Sequence, residues 1–189
     1  IIQLGPPTPA NTLHINNNPI TNVSSVVDLG VTVEEDLSFK SHIHKIVSKA
    51  NQRAGLIRRC FLSRDRSNLV QAFKAYVRPI LEYASTTWSP TYITLINQLE
   101  SVQRHFTKLI PGCYYLPYPD RLKTLKLQSL EHRRLMADLV MCFNIIKGNS
   151  CINQTTFFTP NHNNSSRGHD LRLYSPFTRL NTRKHFFSH

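Results

Sequence analysis

The chain has 189 residues with 23 lysines and arginines against 11 aspartates and glutamates, a net charge of +12 and a sequence pI of about 9.9. That length can bury one sizeable core, no stretch approaches the ~18 uncharged apolar residues of a membrane span, and IIQLGPPTPA lacks the basic and apolar regions of a secretory signal. Four scattered cysteines (Cys60, Cys113, Cys142, Cys151) without a C-x-x-C pair read as reduced thiols, not as a zinc site or a disulfide framework.

The charge is unevenly spread. Residues 1–39 hold no lysine or arginine and net −4, residues 40–149 hold 18 basic and 6 acidic side chains, and the remainder holds 5 and 1. The expected partner is a polyanion, nucleic acid before a membrane surface, because each neutralised phosphate releases counterions. The chain starts on Ile1 and not on methionine, so it is expected to be a piece of a longer, non-secreted polypeptide.

Taken in chain order, a Pro-rich extended opening leads to LHINNNPI, an apolar pair on each side of an asparagine run, which predicts a β-hairpin. VDLGVTVE then alternates: Val27, Leu29, Val31 and Val33 on one face predict a half-buried strand. Gly30 inside it predicts a bulge or a backbone that something approaches closely. From residue 39 the period becomes helical. Ile43, Val47, Ala50, Ala54, Ile57 and Phe61 define a buried stripe, and Lys45, Lys49 and Arg53 form a second stripe at steps of four. Like charges so spaced repel unless an anion lies across them. His42 and His44, two apart on a helix, point to nearly opposite sides and make no metal pair.

A second helix is expected from about Ser67 to Ala84, capped by Asp65 or Ser67, with Pro79 kinking a helix packed on two faces. Arg78 and Glu82 would fill its polar face, and Trp88 would be a core lid. A third helix, Thr91 to Ile110, turns Ile96, Leu99, Val102, Phe106 and Leu109 inward. A short one follows near Asp120–Leu125. The last starts at the cap Ser129, turns Leu130, Leu135, Leu139, Phe143 and Ile146 inward and ends at Gly148. Arg133 and Arg134 in its first turns oppose the helix dipole, which suits a partner better than the helix. Beyond residue 149 an Asn- and Ser-rich mobile linker and a basic, aromatic-spotted end are expected. The fold class is therefore mainly α: a helical bundle preceded by a small β-hairpin and strand unit and followed by an irregular tail.

Two-metal chemistry requires carboxylates held about 4 Å apart. The one acidic cluster, Glu34-Glu35-Asp36, lies at a strand-to-helix junction and reads as a turn and helix start. With no P-loop, G-x-S-x-G or G-x-G-x-x-G, the chain alone is expected to be non-catalytic and to carry no cofactor.

Five stretches, DLGVTVEEDLSFKSHI, KANQRAGLIRR, YVRPILEYASTTWSP, LESVQRHFTKLI and YPDRLKTLKLQSLEHRRLMADL, occur in order at spacings that resemble the region downstream of the palm in non-LTR (LINE-type, jockey-like) retrotransposon reverse transcriptases. The resemblance covers about residues 12 to 187. It implies that residues 1–38 are the end of the palm with a primer-grip-like hairpin and strand, 39–149 a helical thumb, and 150–189 a truncated basic tail. It further implies an RNA-directed DNA polymerase as parent, whose fingers and palm aspartates, with their Mg, would precede Ile1 and be this chain's partner in the same polypeptide. A thumb holds the RNA/DNA primer–template duplex by its backbone, so Lys45, Lys49 and Arg53, then Arg58, Arg59, Arg133 and Arg134, are the expected phosphate contacts, with Gly30 near the primer end. Two other readings use the same residues: a stand-alone helical nucleic-acid-binding module derived from such an element, and a helical scaffold whose charge is incidental.

Overall fold

The structure, a computed structural model, describes residues 2–4, 14–61, 65–160, 172–174 and 177–178. Most of the Pro-rich opening and most of the basic end lie outside the described residues. The architecture is mainly α with small antiparallel strand pairs. The chain divides into two compact units, residues 1–84 with 90–127, and residues 85–89 with 128–189.

In the first unit, β1 (His14–Ile15) and β2 (Asn18–Pro19) form the expected hairpin, turning at Asn16 and Asn17 with φ of 49° and 65°. Asparagine tolerates that left-handed backbone, and two such residues in a row close a type I′ turn. The single strand expected over 27–33 is corrected. β3 (Ser25–Asp28) turns at Leu29-Gly30 and returns as β4 (Val31–Glu34), pairing Asp28 with Val31 and Ser25 with Glu34. Leu29 and Gly30 have φ of 45° and 85°, a second turn of the same hand. Only β4 carries buried residues, Val31 and Thr32, whereas Val27 is 63% and Leu29 84% exposed.

α1 (Lys40–Cys60) begins where Glu34 reaches back to it. The Glu34 carboxylate accepts from the Ser41 hydroxyl and N–H and from the Ser38 hydroxyl, and the Ser41 hydroxyl bond is the chief reason its pKa is lowered. Asp36 accepts from the Ser38 N–H at 3.0 Å. The acidic cluster thus makes a turn and a helix start, the electrostatically favourable end for carboxylates. Ile43, Val47, Ala50, Ala54 and Ile57 are buried as the period requires, with Phe61 partly so.

Pro79 is accommodated by a change of helix type. α2 (Arg66–Ala72), capped by the Asp65 carboxylate on the Asn68 N–H, runs into a π-helical turn at Phe73–Val77 and continues as α3 (Arg78–Glu82). The Arg78 N–H donates to the Phe73 carbonyl, five residues back, and Pro79 sits in the first turn of α3, where it lacks the donor. Leu69, Phe73, Val77 and Leu81, spaced by four, are all buried. On an unbroken α-helix that series would drift by roughly 120°; the extra residue in the π turn keeps it on one face. Arg78 and Glu82, expected on the polar face, pair with each other at 3.9 Å. The segment buries one face only, since Tyr76 and Tyr83 are exposed.

α5 (Ile93–Lys108) packs on α1 and stacks Phe106 against Phe73, ring centres 4.9 Å apart. Leu95, Leu99, Val102 and Phe106 are buried, while Ile96 and Leu109 are only partly so. α6 (Tyr118–Leu125) follows, held by a buried Arg121 whose guanidinium donates to the Leu116 and Arg104 carbonyls. α6 ends with Lys126 at φ 52°, in a turn closed by the Leu127 N–H on the Leu122 carbonyl. Lys126→Gly is expected to stabilise the protein by about 0.5–1 kcal/mol, because glycine adopts this conformation without a Cβ penalty. A rise in the urea midpoint at unchanged slope is the measurement.

In the second unit, α4 (Ser85–Trp88) packs on α7 (Leu130–Ile146). Trp88 is buried, as are Leu130, Ile145 and Phe158. Ser129 caps α7 through the His132 N–H, and Gly148 at φ 71° closes it with Gly148 N–H to Ile145 and Asn149 N–H to Asn144. The expected inward stripe is corrected: Leu135, Leu139 and Phe143 are about half exposed. α7 has two faces able to pack, and the one on which Leu130 lies, with Arg134, is buried. α8 (Gln154–Phe157) and the pair β5 (Thr159–Pro160) with β6 (Leu173–Tyr174) complete the described part of this unit.

Candidate nucleic-acid interface

α1 carries two separate basic surfaces. Lys45, Lys49 and Arg53 are exposed along one side, each step of four advancing the row by about 40° around the axis. Among the described residues no ion pair to a carboxylate involves Lys45, Lys49 or Arg53. Lys45 is partly engaged: its Nζ donates to Thr32 Oγ1 at 3.2 Å.

The same strand residue organises the buried side. The Thr32 N–H donates to Nδ1 of buried His42 at 3.2 Å, which fastens β4 to α1 beside the row. Burial, and secondarily the Lys45 charge, lower the pKa of His42 from the ordinary 6.5. On acidification the unfolded chain takes up this proton first, so stability falls as the pH drops below about 6.5 and the loss levels off once the folded form protonates. His42→Gln, whose amide oxygen can still accept from Thr32, is expected to flatten that decline. Hydrogen exchange at the Thr32 amide between pH 7 and 5.5 reads it locally; an unchanged pH response in the variant would refute the assignment. Asp138, in the second unit, acts with the opposite sign: burial raises it to about 6, so acidification between about 6 and 3.8 favours its folded form.

The Gly30 turn is anchored by Tyr83, whose hydroxyl donates to the Leu29 carbonyl at 3.0 Å. Gly30 is exposed, and a Cβ there would meet only Tyr83 Cε1 at 3.8 Å. Its φ of 85°, and not crowding, calls for glycine. His44 lies opposite His42 on the helix, with Nδ1 3.0 Å from Gln98 Nε2 of α5.

Arg58 and Arg59 are exposed in the last turn of α1, the end that favours cations. Arg58 does not continue the Lys45 row. It projects roughly 180° away from the middle of that row, into a groove of about 660 Å³ between α1 and α5. Arg104, His105 and Lys108 of α5 line the same groove. Sequence reading had not singled out these three; the i, i+4 pair Arg104 and Lys108 in LESVQRHFTKLI was the signal present. Arg133 and Arg134 belong to the second unit, where Arg133 is partly exposed. Arg134 is 2% exposed and its charge acts on Asp138. It is therefore corrected from a phosphate contact to an interior residue, because the buried face of α7 passes through it.

The chain is 27% identical over 128 residues to a Caenorhabditis elegans protein described as uncharacterized; the match covers 66% of this chain and 65% of that protein. No protein-family profile matches the chain. No solved structure matches it either.

Proposed function

We propose that this chain holds a nucleic-acid duplex by its sugar-phosphate backbone, as the thumb-like part of an RNA-directed DNA polymerase of the non-LTR retrotransposon type, with the chemistry performed by residues outside it. The observation that carries the reading is the unneutralised row Lys45, Lys49 and Arg53 on a helix whose opposite stripe is locked in the core. A row of cations set on phosphates carries no sequence information, which suits an enzyme that must accept any sequence. The Leu29-Gly30 turn with β4, the Thr32 fastening and the Pro79 segment fall within the stretches that resemble the polymerase family, in the same order. The Leu29-Gly30 turn, exposed and tied down by Tyr83, is the proposed approach to the primer strand.

The direct test is fluorescence anisotropy of the protein with RNA–DNA hybrids of unrelated sequence at low salt. Equal affinities across sequences are expected. Strong discrimination between sequences, or no binding, would overturn the reading. A cation row with incidental charge predicts no binding.

A further inference from the structure

The groove between α1 and α5 is distinct from the Lys45 row and has its own chemistry. Arg58 lines one wall, and Arg104 and Lys108 line the other. Among the described residues none of the three has an ion-pair partner. The lining includes Gly55, inside the 21-residue α1. Glycine there costs helix stability relative to alanine, yet a Cβ on Gly55 would meet nothing within 4 Å. Packing does not require the glycine; what its missing side chain does is keep the groove open.

An aromatic platform adjoins the basic wall. Lys108 Nζ stands 4.9 Å from the centre of the Tyr114 ring, and Tyr115 meets that ring edge-on at 5.0 Å. Tyr115 is 94% exposed, an unusual placement for a large ring. Cations lining a groove of about 660 Å³, next to an exposed ring, combine the two elements by which proteins hold single strands: charge along the backbone and stacking beneath the bases.

We infer that this groove binds single-stranded nucleic acid, with Arg58, Arg104 and Lys108 on successive phosphates and Tyr115 beneath a base. The inference rests on the reading of the chain as a nucleic-acid binder and adds a second site with a different ligand. It explains why Arg58 leaves the duplex-facing row, and it gives the exposed tyrosine pair a use.

The full chain is titrated with labelled oligo(U), oligo(dT) and an RNA–DNA hybrid. Gly55→Leu puts a side chain into the groove from a position where the Cβ itself has open space, and Tyr115→Ala removes the platform from a position that is 94% exposed. Each is expected to weaken single-strand binding by at least about fivefold, with affinity for the hybrid and the melting temperature unchanged or, for Gly55→Leu, the latter raised. Preference for oligo(U) or for oligo(dT) identifies the strand as RNA or DNA. Hybrid binding without oligonucleotide binding, or oligonucleotide binding that survives both substitutions, overturns the inference while leaving the duplex reading intact. Loss of all binding in the unaltered chain overturns both.

Discussion

Reversing Lys49 and Arg53 together to glutamate should weaken duplex binding by about 10- to 100-fold at low salt, by the same factor for every sequence. Each change removes a phosphate contact and adds a repulsion. Two lost contacts also reduce the salt dependence by about 1.8 in the logarithmic slope. Both residues are exposed and neither has a carboxylate partner among the described residues, so the fold should not register the change. Lys45 is a poorer choice because its Nζ also bonds Thr32. The control is Lys123→Glu on α6 with Lys126→Glu just after it, which alters net charge equally. If that pair weakens binding as much as the α1 pair, the effect belongs to the global field and not to the row.

Phe73→Ala should cost about 3–5 kcal/mol, the largest stability effect expected in the first unit. Phe73 is completely buried, stacks on Phe106 and opens the π turn. Its loss leaves a cavity where α1, the π turn and α5 meet, and that loss is a large fraction of a typical domain's stability. A fall in Tm on the order of 10 °C or more is expected. The basic surfaces of α1 depend on this packing, so binding should be retained at temperatures where the variant is folded and lost with its melting. A shift of less than a few degrees would mean that Phe73 does not hold α1, the π turn and α5 together.

Local signals carried much of this structure. The α1 stripe was legible because one face of a 3.6-residue period meets the core over five turns, and Asp65, Ser129 and Gly148 announced their helix ends by side-chain chemistry. Leu29-Gly30 hid from the same reading. Alternation runs through a two-residue turn without a break, although the turn places Val27 opposite Thr32 and exposes Leu29. Asparagine or aspartate would have announced the turn; leucine at φ 45° does not. The π turn left a trace in the strict four-spacing of Leu69, Phe73, Val77 and Leu81, a series that one α-helix cannot keep on one side. The buried face of α7 is a tertiary choice that no periodicity within the helix records. The groove joins residues from two helices more than forty positions apart in the sequence, so its basic and aromatic members become neighbours only on folding.

The most direct measurement of the central claim is the dependence of hybrid affinity on salt, by anisotropy between about 25 and 200 mM. Three phosphate contacts by Lys45, Lys49 and Arg53 predict a logarithmic slope of about −2.7, unchanged when the sequence is scrambled. A slope near zero, or one that changes with the sequence, would contradict a backbone grip by the α1 row.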